Sequence, residues 1–314
     1  MGKSSIRTKT RYWFYIKYFI KCIFVPSRSN SETVFFMVNW NGNSVAEETV
    51  LSTSNRGFLL GDAVFETCKV VNNKLLFFED HYFRLMSSMR IVRMKIPMQF
   101  TLEFLENEML TLIHQLEKSD AYRVRITVYR NEGGLYLPKD NTISYIIQAN
   151  PIENSSYSFN ENSYEVDLYK DFFISKQLLS TIKTTNKMVH ITGSVFAEEN
   201  DLQNCLLLNN EKNVAEALNG NLFMLTGKKL ITPPVSDGCL NGVMRKQILA
   251  LAKKMDGVEV IEESISPFEL QKADELFITN VIGGIQPITK YRKKEYTTNF
   301  SKMLVEKLNE LIEA

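Results

Sequence analysis

The residues with the clearest chemical potential in this sequence are those that could bind a phosphate group. Gly242 precedes the helical pattern VMRKQILALAKK, and a helix that begins after a glycine leaves backbone N–H groups available to an anion. Thr279 and Asn280 end a strand-like run with a hydroxyl and an amide. Arg84 lies on the polar face of another helical pattern, from which a guanidinium could hold a phosphate through two nitrogens. Each feature also has an ordinary interpretation, because most glycines before helices mark turns and most arginines on polar faces are solvated.

The short motifs of other catalytic classes are absent from this sequence. It contains no GxxxxGK[ST], HExxH or GxSxG, and no GxGxxG follows a strand. Its three histidines and four cysteines are scattered, so neither a metal site nor a disulfide framework is predicted. Isolated cysteines favour a reducing cytoplasm as the compartment. Spacing alone identifies no nucleophile.

Charge is distributed unevenly along the 314 residues. The net charge is +1, yet residues 1–36 carry +6 and the remainder carries −5. A mildly acidic body is not the surface that nucleic acid binds, so nucleic acid is excluded as a partner. The apolar run at residues 12–25 is too short to span a membrane and contains two lysines. We interpret residues 1–36 as an N-terminal extension, with a membrane-attracted segment and an export signal as less favoured alternatives.

The elements that must position these residues are strands and helices in two blocks. The run VFETCKVVNNKLLFF predicts a hairpin that turns at residues 71–74. Helical spacing predicts helices around residues 82–92, 102–116, 187–200, 239–255 and 299–312, and period-two runs predict strands at 122–130, 142–151 and 275–280. The polar segment 150–163 is interpreted as a linker. This pattern predicts an α+β fold with a small domain at 37–152 and a larger domain at 153–314.

Five blocks, in this order, resemble the class IV aminotransferases, which are the fold-type IV pyridoxal-phosphate enzymes. The resemblance runs from about residue 39 to about residue 291. The blocks are RGFLLGDAVFET (56–67), EDHYFRL (79–85), TIKTTNK (181–187), VAEALNGNLFMLTGKKLITPP (214–234), and LNGVMRKQIL (240–249) with ADELFITN (273–280). The resemblance implies a small α/β domain, a larger domain with a barrel-like sheet, and a homodimer.

The resemblance also implies roles for individual residues around pyridoxal 5′-phosphate (PLP). Lys183 is similar to the lysine that forms a Schiff base with the cofactor and later moves protons. Glu216 is similar to the carboxylate that pairs with the pyridine nitrogen and keeps it protonated. The remaining cofactor-binding residues that the resemblance implies are Arg84, Asn186, Gly242, Val243, Met244, Thr279 and Asn280. Glu66 lies at the edge of the site in the family, either as a structural carboxylate or as a substrate contact.

Three activities remain open within this resemblance. The FITN ending and the sequence RNEGGLY resemble 4-amino-4-deoxychorismate lyases, which form 4-aminobenzoate and pyruvate for folate synthesis, and this activity is favoured. A branched-chain aminotransferase is the alternative, although Lys187 stands near the position of that subfamily's tyrosine. A D-amino acid aminotransferase is less favoured, because residues 130–141 lack its Arg-x-His motif. A PLP-binding protein without catalytic activity is the third alternative, and the presence of Lys183 counts against it.

Overall fold

The computed structural model describes residues 37–47 and 51–313, which contain sixteen strands, seven α-helices and two short 3₁₀ helices, Leu178–Thr181 and Val235–Asp237. The strands are β1 (Met37–Trp40), β2 (Asn43–Ala46), β3 (Ala63–Val71), β4 (Lys74–Leu75), β5 (Ala121–Arg130), β6 (Ile143–Pro151), β7 (Glu165–Ile174), β8 (Asn204–Asn209), β9 (Val214–Ala217), β10 (Asn221–Thr226), β11 (Lys229–Thr232), β12 (Glu259–Glu262), β13 (Glu275–Asn280), β14 (Gly284–Ile288), β15 (Lys290–Tyr291) and β16 (Lys294–Glu295). The helices are α1 (Arg56–Leu60), α2 (Phe78–Ile91), α3 (Leu102–Ile113), α4 (Met188–Glu199), α5 (Val243–Ala252), α6 (Pro267–Leu270) and α7 (Asn299–Glu313). The predictions for residues 1–36 lie outside the described residues.

The first sheet has six antiparallel strands in the order β2-β1-β6-β5-β3-β4. The predicted hairpin at 71–74 is confirmed, and Asn72 and Asn73 both have positive φ, which a two-residue hairpin turn requires. Helices α2 and α3 pack on the sheet through buried side chains that include Leu85 and Met109. This sheet places β3, the strand of the VFET block, in a rigid layer.

Two five-stranded sheets form the second half of the structure, in the orders β12-β11-β10-β13-β14 and β16-β15-β7-β8-β9. A single apolar cluster draws residues from both sheets, including Leu168, Leu206, Leu222 and Leu276. A bridge between Ala217 and Gly220 joins the end of β9 to the start of β10. The two sheets therefore enclose one core, and the α+β prediction is confirmed.

Helix α5 is shorter than the helix predicted at 239–255. Gly242 is its N-cap, with an extended backbone, and Lys253 is its C-cap. The residues before Gly242 use their backbone N–H groups elsewhere: Leu240 donates to the Glu216 carboxylate and Asn241 donates to the Thr181 carbonyl. These bonds hold the chain out of the helix until Gly242, so the helix begins at the cavity described below.

No regular secondary structure occurs between Ile152 and Tyr164, in the segment that was predicted to be a linker. The segment is anchored by Tyr157, whose ring is buried and whose hydroxyl donates to the Val281 carbonyl at 2.9 Å. The division into domains at 152 and 153 stays a prediction. Within residues 37–47 and 51–313, none of the helices combines the length and apolar character that a membrane crossing requires.

Candidate active site

Lys183 lies in an extended segment that runs beside the N-terminal half of β3 and ends where α4 begins. The backbone N–H of Phe65 donates to the Lys183 carbonyl at 2.8 Å, and that of Thr185 donates to the Ala63 carbonyl at 3.1 Å. These bonds fix the backbone on both sides of the lysine. The amine nitrogen lies 4.9 Å from the centre of the Phe65 ring. The first sheet therefore sets the position of this amine.

The environment of Lys183 increases the fraction of this amine that is in the neutral, nucleophilic form. Burial lowers the pKa of Lys183 to about 8, and the positive charge of Arg84 acts in the same direction. Glu66 and Glu216 oppose this shift without cancelling it. An amine with a pKa near the working pH can both attack a carbonyl carbon and carry a proton.

Glu216 lies on β9 at the other side of the same cavity, and its side chain is buried. One carboxylate oxygen accepts a hydrogen bond from the Leu240 backbone N–H at 2.8 Å. The other lies 3.1 Å from Nε2 of His190, which α4 carries. Two contacts from different elements therefore orient this carboxylate, and both oxygens keep lone pairs for a further donor.

Helix α5 directs its N-terminus at the cavity. Gly242 caps the helix without a side-chain hydrogen bond, so Val243 and Met244 present first-turn N–H groups. A Cβ atom on Gly242 would lie 1.9 Å from Oδ1 of Asn221, which means that no side chain fits at this position. The close approach of backbone and the positive end of the helix dipole make this a suitable place for an anion.

Thr279 and Asn280 end β13 beside the helix terminus. The hydroxyl oxygen of Thr279 is buried and has no hydrogen-bond partner among the residues the structure describes. A buried hydroxyl without a partner is costly, so a bound polar group is expected there. Asn280 has a different role, because its Oδ1 accepts the backbone N–H groups of Ile282 and Gly283 and shapes the turn after β13.

Arg84 is held rigidly between the two halves of the structure. Its Nε and one terminal nitrogen donate to the two oxygens of Glu66 at 2.7 and 2.6 Å, and its other terminal nitrogen donates to the Asn241 carbonyl at 2.8 Å. Nδ1 of His81 lies 2.8 Å from Glu66 and must be the donor, since an ionised carboxylate only accepts. Three of the five guanidinium N–H groups are engaged, and two remain for a ligand.

Glu66 is thus a buried carboxylate that orients Arg84. Burial would raise the pKa of Glu66, but the charge and hydrogen bonds of Arg84 and the hydrogen bond of His81 outweigh that effect and lower it from 4.5 to about 2. A carboxylate with a lowered pKa stabilises the fold at pH above 4.5, and this contribution is lost as the pH falls from 4.5 toward 2.

Glu66→Gln is expected to reduce the free energy of unfolding at pH 7 by about 3–5 kcal/mol, because it leaves the Arg84 charge buried without a partner. Urea denaturation at several pH values measures this, and the difference from the wild type should shrink as the pH falls below 4.5. Glu165→Gln is the control, because Glu165 forms a partly exposed ion pair with Lys290 that is worth about 1 kcal/mol or less. A difference that stays constant between pH 7 and pH 3 would contradict this role for Glu66.

One cavity of about 240 Å³ collects most of the residues that the sequence predicted for the site. The predicted residues that line it are Arg84, Lys183, Glu216, Gly242, Val243, Met244, Thr279 and Asn280. Asn186 lies elsewhere, on an adjoining cavity of about 570 Å³, where its side-chain amide donates to the Gly61 carbonyl at 3.4 Å. The structure therefore brings together eight of the nine predicted residues and places Asn186 beside them.

Sequence reasoning missed several residues that line the cavity of about 240 Å³, and the side chains of three of them contact predicted site residues. His190 contacts Glu216, Phe65 faces the Lys183 amine, and Asn221 packs against Gly242 while its amide donates to the Leu240 carbonyl. Each of the three is distant in sequence from the residue that it contacts, so no short motif contains both. The separation of 26 residues between His190 and Glu216 is bridged only by the packing of α4 on the second half of the fold.

The lining of this cavity fits PLP group by group. An amine for the cofactor's aldehyde is present in Lys183, and a carboxylate for its pyridine nitrogen is present in Glu216. The phosphate would meet the helix terminus at Gly242, the unpartnered hydroxyl of Thr279 and the remaining N–H groups of Arg84. Backbone N–H groups, a hydroxyl and a guanidinium are the donors that a phosphate dianion requires.

Comparisons with known proteins identify a family and several relatives with similar sequences. The family model "Amino-transferase class IV" matches residues 63–291. A Methanocaldococcus jannaschii protein assigned as a branched-chain-amino-acid aminotransferase is 28% identical over 258 residues, with 79% of this chain and 85% of the relative covered. The D-alanine aminotransferase of Listeria monocytogenes is 25% identical over 248 residues, with 77% and 83% covered.

Solved structures share the fold. The branched-chain amino acid aminotransferase of Thermobaculum terrenum in its PLP form superposes with a TM-score of 0.77 at 23% identity, covering 89% of this chain and 95% of that one. A Legionella pneumophila protein assigned as a 4-amino-4-deoxychorismate lyase superposes with a TM-score of 0.74 at 22% identity, covering 84% and 96%. The predicted fold-type IV architecture is confirmed. The chain belongs to the class IV aminotransferases, a family of enzymes that use PLP.

Proposed function

We propose that this enzyme is a 4-amino-4-deoxychorismate lyase, which converts its substrate to 4-aminobenzoate and pyruvate. The observation that carries the proposal is the cavity of about 570 Å³ that adjoins the cavity of Lys183 and Glu216. About half of the residues that line this larger cavity are polar or charged, among them Gln177, Ser180 and Thr184. A branched aliphatic side chain binds best in a wholly apolar pocket, whereas a ring that carries two carboxylates suits a large cavity with a mixed polar and apolar lining.

The chain's own residues have defined tasks in this reaction. PLP, when bound, supplies an aldehyde that condenses with amines and a ring that accepts electrons. Lys183, as a free amine, removes the proton from the amine-bearing carbon of the substrate. Glu216 holds a proton at the pyridine nitrogen, and Arg84 with the N-terminus of α5 holds the phosphate. Loss of pyruvate leaves an aromatic ring, which makes the step favourable.

The structure gives no support to D-amino acid transfer. Arg130 stands at the start of the region where that subfamily has its Arg-x-His motif, and its guanidinium is engaged within the protein. Nε donates to Asp62 at 2.9 Å, and one terminal nitrogen donates to the Val92 carbonyl at 2.6 Å. The other terminal nitrogen donates to Asn141 and to the Arg93 carbonyl. This arginine is therefore poorly placed to bind a substrate carboxylate.

Amino acid transamination is the second candidate, because curated relatives of this chain are assigned to branched-chain and D-alanine transfer. An aminotransferase shares the lysine, the carboxylate and the phosphate site, and differs in what it accepts in the adjoining cavity. A direct comparison of substrates separates the two candidates.

The purified holoenzyme, incubated with 4-amino-4-deoxychorismate, is expected to release 4-aminobenzoate and pyruvate in equal amounts. 4-Aminobenzoate is measured by its fluorescence and pyruvate by a coupled lactate dehydrogenase assay. Parallel reactions contain L-leucine, L-glutamate or D-alanine with 2-oxoglutarate or pyruvate as acceptor. Rapid amino transfer from one of these donors, without 4-aminobenzoate formation, would contradict the lyase proposal and identify the aminotransferase.

We also propose that the enzyme is a homodimer. Large apolar side chains are exposed on two segments that line the 570 Å³ cavity. Tyr136 (92% exposed) is a lining residue, Leu135 (84%) precedes it in the chain, and Phe58 (76%) lies two residues before the lining residue Leu60. An exposed apolar region of this extent is typical of an interaction surface. A second copy placed there would cover these side chains and separate the cavity from water. Sedimentation analysis of the purified enzyme decides between a monomer and a dimer.

We propose a cytoplasmic location because the cysteines that the structure describes are free thiols. Cys68, Cys205 and Cys239 are buried free thiols. Burial raises the pKa of each of these thiols, so they are poor nucleophiles that serve as small apolar side chains. Free thiols are typical of proteins in a reducing compartment.

A further inference from the structure

Lys187 is a second lysine at the site, four residues after Lys183, and no role has so far been given to it. It stands immediately before α4 as the N-cap residue. It lines both the cavity of about 240 Å³ that holds Lys183 and the adjoining cavity of about 570 Å³. His190 and Glu216 are the other two residues that line both. Lys187 therefore lies where the two cavities meet, beside the place where a substrate amine must enter.

The two arginines that line the larger cavity already form hydrogen bonds with other groups of the protein. Arg56 and Arg130 both donate to the same oxygen of Asp62 at 2.9 Å. Arg56 also donates to backbone carbonyl groups in the loop 133–136, the shortest of these contacts being 2.6 Å. Arg130 also donates to the Val92 and Arg93 carbonyls and to the Asn141 side chain. Neither guanidinium is placed to select a substrate.

Lys187 differs from both arginines. Within residues 37–47 and 51–313, its ammonium group has no hydrogen bond and no ion pair. Glu216, the carboxylate whose charge acts on Lys187, accepts a hydrogen bond from the Leu240 N–H and lies 3.1 Å from His190. Burial lowers the pKa of Lys187, the charge of Glu216 opposes this shift, and Arg84 adds to it. A partly buried ammonium group without a partner is unfavourable, so the site is incomplete without an anion.

We propose that Lys187 binds a carboxylate of the amino substrate and thereby selects anionic amines. The proposal rests on the proposed function, in which the neighbouring cavity holds PLP and the substrate amine reacts there. A carboxylate bound at the wall between the cavities anchors the substrate in the larger cavity and directs its amine toward Lys183. The substrate class that follows is an amine with at least one carboxylate, and a dicarboxylate can place its second charge beside the polar side chains of the larger cavity.

Lys187 is a specificity-determining residue in this account, and it takes no part in proton transfer. Its loss should therefore weaken the binding of carboxylates while leaving the bond between Lys183 and the cofactor intact. This separates it from Lys183, whose loss removes that bond.

The test measures binding of a matched pair of small molecules, 4-aminobenzoate and 4-aminobenzamide, to the holoenzyme by calorimetry. The two differ only by the replacement of the carboxylate with a neutral amide. The wild type is expected to prefer the carboxylate by about 10-fold or more, as is typical of a charge-assisted hydrogen bond. Lys187→Gln should lose this preference with little change in amide affinity, and Lys187→Arg should retain most of it. Lys228→Gln, at an exposed turn, is the matched control and should bind like the wild type.

Three outcomes distinguish the possibilities. An unchanged preference in Lys187→Gln would overturn the proposal. A shift in the pH dependence of the cofactor's visible absorbance, without loss of the preference, would also overturn it, because it would show that Lys187 acts on Glu216 and the pyridine ring. If the wild-type enzyme shows no visible absorbance of lysine-bound PLP, the proposed function itself fails, and this result is separate from the binding comparison.

Discussion

Lys183→Ala is expected to reduce turnover by about 10⁴-fold or more and to abolish the visible absorbance of the lysine-bound cofactor. The variant lacks both the amine that bonds to the cofactor's aldehyde and the base that moves the substrate proton, and each function is normally worth several orders of magnitude. The fold should persist, since the Lys183 side chain forms no hydrogen bond or ion pair with the described residues and contacts the Phe65 ring. Turnover, the absorbance spectrum and thermal unfolding are measured together.

Two further observations make the Lys183 result specific. Lys228→Ala removes an exposed lysine at a turn and should leave turnover and spectrum unchanged. Wild-type apoprotein should combine with PLP faster as the pH rises, with a plateau above about 8, because the neutral amine is the reactive form and burial lowers its pKa to about 8. Retained turnover in Lys183→Ala would overturn the assignment of this lysine.

Glu216→Gln is expected to lower kcat by about 100- to 1000-fold with a smaller effect on cofactor binding. The substitution keeps the shape of the side chain but removes the negative charge that holds a proton at the pyridine nitrogen, and a preorganised charge of this kind is worth several kcal/mol to a transition state. Glutamine can still accept the Leu240 N–H that orients the native carboxylate. The loss should therefore appear in kcat and much less in stability.

A matched control for Glu216→Gln is available on the neighbouring turn. Glu211 pairs with Lys176 at 2.7 Å and its side chain is half exposed, so Glu211→Gln removes a carboxylate near β9 without touching the cavity. Its kinetics should match the wild type. Unchanged kinetics in Glu216→Gln as well would show that this carboxylate is only part of the turn before β10.

The parts of the site that the sequence predicted are those carried by local motifs. Gly242 precedes a helical pattern, and the FITN block places Thr279 and Asn280 at the end of a strand, so their positions follow from local periodicity. Lys183 and Glu216 required the order of five blocks, since each is an ordinary residue in isolation. In these cases the residues that the motifs predicted for the site line the same cavity in the structure.

The parts that the sequence did not predict depend on contacts between distant elements. Gly242 was identified as the glycine before α5, but the helix range predicted from apolar spacing began four residues too early, at 239. Backbone bonds from Leu240 and Asn241 to Glu216 and Thr181 keep that stretch out of the helix. The role of Glu66 was left open, and only its burial against Arg84 shows that it is a positioning carboxylate. Such tertiary hydrogen bonds leave no periodic signal along the chain.

Asn186 was predicted to contact the cofactor, but it lines the adjoining cavity and not the one that holds Lys183. It lies only three residues from Lys183, so a contact with the cofactor was expected. The chain turns at the start of α4, however, and its side chain packs against Gly61 in the larger cavity, where a Cβ atom on that glycine would lie 2.5 Å from the Asn186 oxygen. Proximity in sequence did not translate into a shared cavity, and Asn186 as a cofactor contact stays a prediction.

Reduction of the holoenzyme with borohydride, followed by peptide mass spectrometry, tests the central claim most directly. Borohydride converts the bond between a lysine and PLP into a stable secondary amine, which marks the lysine that held the cofactor. The account predicts that fragmentation of the labelled peptide, which contains both Lys183 and Lys187, places the added phosphopyridoxyl mass on Lys183 and not on Lys187. A label on another lysine, or no label on any peptide of PLP-saturated enzyme, would contradict it.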